Sequence, residues 1–145
     1  MNSFERRVRA VVIQTLRDTG FAPSAAQIAA TLNASEPDIS SALNSLAERH
    51  RLALLPGTDK VWMAHPFSGV ETDFVVSIGK RRWFANCVWD GLSILALLGD
   101  GGLDTHSPAT GEPIQFRASD GKVFGEALVH FLVPARRFWD DIGFT

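Results

Sequence analysis

The sequence has one cysteine, no long apolar run and no marked surplus of either charge. A single thiol excludes an internal disulfide framework and suits a reducing compartment. A membrane-spanning helix needs about 20 consecutive apolar residues, and no stretch approaches that length. The N-terminus, Met1-Asn2-Ser3-Phe4-Glu5-Arg6-Arg7, leads into amphipathic spacing rather than the apolar core of a secretion signal. A cytoplasmic protein without membrane contact is therefore expected. Fourteen Lys and Arg stand against sixteen Asp and Glu, which leaves no general field to draw in nucleic acid or anionic lipid. What is present is a 46% apolar share over 145 residues, enough for one globular domain or two small ones.

Residues 1–65 read as three helices and a hairpin. Phe4, Val8, Val11, Val12, Thr15 and Leu16 recur at helical spacing, and Asp18-Thr19-Gly20 closes that helix. Ser24 is a candidate N-cap for a short second helix, with Gln27 in the capping-box position. Ser35 caps a third, which carries Ile39, Ala42, Leu43, Leu46 and Ala47 on one face. Leu52-Ala53-Leu54-Leu55 and Val61-Trp62-Met63-Ala64 flank a Pro-Gly turn and predict two strands.

This order resembles a winged helix-turn-helix, whose third helix would enter the DNA major groove. The charges argue against DNA as a partner. The helix would begin Ser35-Glu36-Pro37-Asp38, acidic where phosphates would lie. The half carries Arg6, Arg7, Arg9, Arg17, Arg49, Arg51 and Lys60 against Glu5, Asp18, Glu36, Asp38, Glu48 and Asp59, a net of +1. A DNA-binding domain presents a basic stripe, so an interaction or structural role is expected for this module.

His65-Pro66-Phe67-Ser68-Gly69 interrupts both periodicities and predicts a junction, dividing the chain into domains at 1–65 and 66–145. Beyond it, residues 72–78 predict a strand and Gly79-Lys80-Arg81 a turn. A helix over 88–98 is apolar almost all round, which predicts a buried central helix, ended by Gly99-Asp100-Gly101-Gly102. Short strands are expected near 103–105 and 114–117, another over 123–133, and a helix or turn from Arg136. The fold class is α+β.

Asn86-Cys87-Val88-Trp89-Asp90 holds the lone thiol with a carboxylate three residues on. On a helix, Cys87 and Asp90 share a face. A thiolate binds soft metals and a carboxylic acid delivers protons. Two plainer readings compete, since unpaired cysteines are often small buried hydrophobes and an Asp near a helix start serves the helix dipole.

Several separated pieces resemble the organomercurial (alkylmercury) lyase family: Pro66-Phe67-Ser68, Trp83-Phe84-Ala85-Asn86-Cys87-Val88-Trp89-Asp90, the loop Thr105-His106-Ser107-Pro108-Ala109-Thr110-Gly111-Glu112-Pro113, Val129-His130-Phe131, and Phe138-Trp139-Asp140-Asp141. The resemblance implies an N-terminal winged-helix-like domain that does not bind DNA, followed by an α+β catalytic domain. It implies protonolysis of a carbon–mercury bond, with Cys87 as the first catalytic cysteine and mercury ligand and Asp90 as proton donor. No cofactor is required; organomercury and Hg(II) are ligand and product, and small thiols are partners. A sulfur at a helix N-terminus with Arg81 or Arg82 nearby is expected to favour the thiolate. Asp90 needs partial burial to hold its proton. Trp83, Phe84, Trp89 and His106 are expected at the substrate pocket, and His106, His130, Asp140 and Asp141 are auxiliary ligand candidates.

The family's second catalytic cysteine is expected immediately after Phe144-Thr145, and these 145 residues do not contain it. A single sulfur should capture an organomercurial but cleave it poorly unless another thiol substitutes. Apolar surface left open along 123–145 would favour a homodimer. Two other readings stand beside the lyase: a winged-helix regulator sensing a metal or organometal through Cys87, and a non-catalytic interaction domain.

Overall fold

A computed structural model describes residues 1–143. The chain begins with α1 (Ser3–Thr19), α2 (Ala25–Leu32) and α3 (Glu36–Glu48). Each starts where the sequence provides an oxygen for orphan backbone N–H groups. Asn2 with Glu5, and Ser24 with Gln27, form complete capping boxes, and Ser35 accepts from the Asp38 N–H. Val8, Val12, Leu16, Ile28, Ile39, Leu43 and Leu46 are fully buried between the three helices. Glu5 is buried with them: it accepts from the Ser45 hydroxyl at 2.8 Å and lies 3.4 Å from the Arg49 guanidinium. The Asn2 backbone and Ser45 hydrogen bonds hold its carboxyl below the usual carboxylate range.

After α3 comes a small antiparallel sheet, β1 (Ala53–Leu54), β2 (Val61–Ala64) and β3 (Phe67–Ser68), in that order. The predicted sequence of three helices and a hairpin is what forms. A second sheet follows, with strands β4 (Val75–Ile78), β5 (Arg81–Phe84), β6 (Gly101–His106), β7 (Pro113–Ser119) and β8 (Lys122–Phe124) in spatial order β5-β4-β6-β7-β8, every pair antiparallel. α4 (Val88–Leu98) crosses between β5 and β6.

Register decides which face of the large sheet is covered. Trp83 pairs with Val76, Val76 with Leu103, and Leu103 with Phe116. All four are buried, because side chains on opposed residues project to the same face. α4 lies on this face: a Cβ at Gly91 would stand 2.7 Å from both terminal carbons of Leu103. The helical half reaches the same face through Trp83, whose indole N–H donates to the carbonyls of Leu16 at 3.1 Å and Arg17 at 2.9 Å. Gly20, at φ +81°, ends α1 there, with room for only a hydrogen against the Arg82 carbonyl. One apolar cluster thus runs from Val8 to Phe116.

Three expectations need correction. α4 is not enclosed: Gly91, Ile94 and Leu95 are buried against the sheet, whereas Trp89 and Leu97 are more than half exposed. Its apolar excess lies on the side away from the sheet. Residues 123–133 do not form one strand. β8 stops at Phe124, and Gly125, at φ +156°, lies so close to the Phe116 ring that a Cβ would overlap it. Residues 125–134 then run as exposed chain, with Leu128 98% and Leu132 64% exposed. Finally, β6 and β7 extend beyond the predicted strands, because their register runs unbroken from Gly101–Ala118 to His106–Pro113. A 3-10 helix, Ala135–Asp140, follows where a helix or turn was expected. Among the described residues, no helix is long and apolar enough to cross a membrane.

Gly91 decides how closely α4 seats. Replacing a mid-helix Gly with Ala ordinarily stabilises by about 0.5–1 kcal/mol. Here the added methyl meets Leu103, fully buried and unable to swing aside, and overpacking costs about 1–3 kcal/mol. Gly91→Ala should therefore lower the urea midpoint with an unchanged m-value; a raised midpoint would mean that α4 does not pack on Leu103.

Candidate functional site

The N-terminus of α4 collects the polar groups of the Asn86–Asp90 stretch. Cys87 is the N-cap, with extended backbone at φ −157°, and its Sγ accepts from the Asp90 N–H at 3.5 Å. Ser, Thr, Asp or Asn is the usual occupant of such a position, since oxygen accepts better than sulfur. A thiol there is a weaker cap, which favours a chemical reason for it. Cys87 thus lies just outside the helix, and its sulfur meets the Asp90 backbone N–H across the first turn.

The Asp90 carboxylate is 14% exposed and is held through one oxygen. Oδ2 accepts from Asn86 Nδ2 at 2.8 Å and faces His65 Nδ1 at 3.1 Å. Asn86 Nδ2 also reaches the Phe67 carbonyl at 3.4 Å, and its own Oδ1 is buried without a hydrogen bond among the described residues. His65 arrives from the β2–β3 turn, and a bridge between Phe67 and Ala85 holds β3 against the segment leading into Cys87. The His65 ring is 40% exposed and meets the edge of Trp139 at 6.1 Å; Trp139 in turn stacks on His50 at 4.3 Å.

Burial pushes the half-buried Cys87 thiol above its ordinary pKa; the Asp90 N–H bond opposes this and the Asp90 negative charge adds to it. The expected thiolate preference is thus reversed. Arg81 and Arg82 are exposed on β5, and the charge of Arg81 acts on Asp18. Among the described residues no cation acts on the sulfur, and desolvation outweighs the backbone N–H bonds of the helix N-terminus.

Of the expected aromatic wall, only Trp89 faces open space. It meets Phe131 edge-on at 6.3 Å, and Phe131 lies 5.6 Å from Phe138. With residues 132–135 these rings line an apolar groove of about 580 Å³. Trp83 does not belong to it, because its ring is core and its N–H is committed to α1. Phe84 is half-buried on the opposite face of β5. His106 ends β6 exposed, and His130 lies in the exposed 125–134 stretch; neither bonds to Cys87 or Asp90. Asp140 pairs with Arg137 at 2.8 Å, and Asp141 is exposed beyond it. Among the described residues no three His, Cys, Asp or Glu side chains gather as a metal cage, so the auxiliary ligand set is not assembled.

Sequence reasoning passed over His65 and Asn86 as site residues. Asn86 lay inside the quoted motif, and its four-residue spacing to Asp90 was a usable signal. His65 is 25 residues from Asp90, and only the bridge between β3 and Ala85 brings it there.

A half-buried cysteine and a hydrogen-bonded carboxylate thus share the N-terminus of a helix packed on an antiparallel sheet. The sequence profile of the MerB alkylmercury lyase family matches residues 67–145, more than half of the chain and all of α4. The chain belongs to the alkylmercury lyase family. Its fold is similar to that in a crystal structure of the mercury-bound form of MerB2, with a TM-score of 0.67 and 22% identity over 86% of this chain. The match spans 60% of that protein's length. No curated protein matches the sequence.

The raised thiol pKa has a direct readout. Alkylation by iodoacetamide needs the thiolate, so its rate should rise with pH around a midpoint above that of free cysteine. Asp90→Asn removes the adjacent charge and should move that midpoint down. A midpoint below that of free cysteine would contradict the desolvated site.

Proposed function

We propose that this chain captures an organomercurial on Cys87 and cleaves its carbon–mercury bond by protonolysis, with Asp90 delivering the proton. The observation that carries the reading is that Cys87 Sγ caps the Asp90 backbone N–H at 3.5 Å, which puts the thiol and an oriented, nearly buried carboxyl on one turn, in a chain of the alkylmercury lyase family. Mercury is soft and thiolate is its preferred ligand. Binding RHg⁺ displaces the thiol proton and gives S–Hg–R, a neutral adduct. The desolvation that disfavours a thiolate at Cys87 does not penalise a neutral adduct, so a half-buried sulfur without a cation suits capture.

In the next step the carbon–mercury bond breaks. Its electron pair takes the proton carried by Asp90 and forms the C–H bond of the released hydrocarbon, while mercury remains Hg(II). The 145 residues provide one thiol, and a small thiol completes the coordination of the product as Cys87–S–Hg–S–R′. The groove of Trp89, Phe131 and Phe138 offers the organic group an apolar surface.

The experiment is reaction with a phenylmercury salt and excess small thiol, followed by intact-mass measurement and detection of benzene. The parent chain should form a Cys87 adduct and release benzene. Cys87→Ser keeps a cap oxygen and should do neither; Asp90→Asn should form the adduct and release benzene at least about 100-fold more slowly. A parent adduct without benzene would reduce the protein to a mercury binder, and no adduct at Cys87 would overturn the reading.

A further inference from the structure

We infer that His65 is the solvent-facing half of a proton-delivery pair with Asp90, a positioning residue that orients the carboxylate and resupplies its proton. This rests on the protonolysis reading and extends it to a residue outside the segment that carries the thiol. The geometry is specific. His65 Nδ1 stands 3.1 Å from Asp90 Oδ2, and Asn86 Nδ2 stands 2.8 Å from the same oxygen. Both contacts fall on Oδ2, and among the described residues none falls on Oδ1. The carboxylate is thereby oriented, with one oxygen engaged by the protein and the other left for a reacting group. A carboxylate opposite Nδ1 places the imidazole proton on that nitrogen, and the ring, 40% exposed, is open to water at its other side.

A nearly buried acid that gives up a proton must regain one, and Asp90 is only 14% exposed. His65 connects it to solvent. Protonolysis transfers a proton from Asp90 to the leaving carbon; His65 Nδ1–H then passes a proton to the carboxylate as Nε2 takes one from water, which leaves the Nε2–H tautomer, and proton exchange with solvent restores Nδ1–H opposite the carboxylate. No electron changes owner, and the sole net input is one solvent proton. Trp139 packs nearly perpendicular to the ring, centroids 6.1 Å apart, and is itself fixed by stacking on His50. Of the charged groups near this face, Asp90 is, among the described residues, the one within hydrogen-bond distance of His65. Asp140 is paired with Arg137, Asp141 follows the 3-10 helix, and His50 lies across Trp139.

The test starts from the preformed Cys87–phenylmercury adduct, which removes the thiol titration, and follows benzene release after adding a small thiol. His65→Gln, which hydrogen-bonds but has no ring proton to pass on, should form the adduct to the parent extent and release benzene at least about tenfold more slowly. His65→Ala should be partly rescued by free imidazole. The parent rate in His65→Gln, with release still slowed at least about 100-fold in Asp90→Asn, would overturn this inference and leave the protonolysis reading standing. No benzene from the parent would overturn both. Side-chain ¹⁵N spectra test the pair without turnover: His65 should be the Nδ1–H tautomer in the parent and lose that preference in Asp90→Ala. An Nε2–H tautomer in the parent would contradict the pairing.

Discussion

The docking of the three-helix half onto the large sheet rests on one indole. Trp83 stands in the buried row with Val76, Leu103 and Phe116, and its N–H closes the two carbonyls at the end of α1. A buried indole N–H without an acceptor would cost about 1–3 kcal/mol, so this ring fits only when α1 ends where it does. Gly20 permits that ending by letting the Arg82 carbonyl approach. The site depends on the same docking. His65 comes from the turn after β2 and Asp90 from α4, and their 3.1 Å contact exists because the two layers meet in one register.

Within that frame the site is a balance of desolvation against weak local polarity. A cysteine at a helix N-terminus is commonly drawn toward the thiolate by the helix dipole and by cations. Here the arginines of β5 are exposed and do not act on the sulfur, the adjacent Asp90 charge is negative, and burial raises the thiol. A protein whose chemistry required a free thiolate nucleophile would be poorly served by this arrangement. One in which the sulfur forms a neutral bond to a soft metal is well served.

The sequence disclosed most of the elements because their signals are local. Cap residues at Asn2, Ser24 and Ser35, and the periodic Ile39, Leu43 and Leu46, each act within a turn or two of chain. Cys87 and Asp90 were legible for the same reason, being one helical turn apart. What stayed hidden was set by long-range packing. The partial exposure of α4 depends on which side of it the sheet occupies, and apolar composition alone does not carry that. The end of β8 at Phe124 follows from the close approach of Gly125 to Phe116. Trp83 and Trp89 are both tryptophans flanking one motif, yet one is core and the other lines a groove. Placing His65 beside Asp90 required the tertiary fold, since no spacing rule links residues 25 apart.

The central claim is that the first turn of α4 is where mercury is held and where its bond to carbon is presented to Asp90. The most direct measurement is the anomalous-scattering map of a crystal of the Asp90→Asn chain treated with phenylmercury, in which release is slowed. The account predicts a mercury peak on Cys87 Sγ, with its bound carbon facing the residue 90 side chain and the phenyl ring in the groove of Trp89 and Phe131. Mercury absent from Cys87, or bound there with its carbon turned away from residue 90, would contradict it.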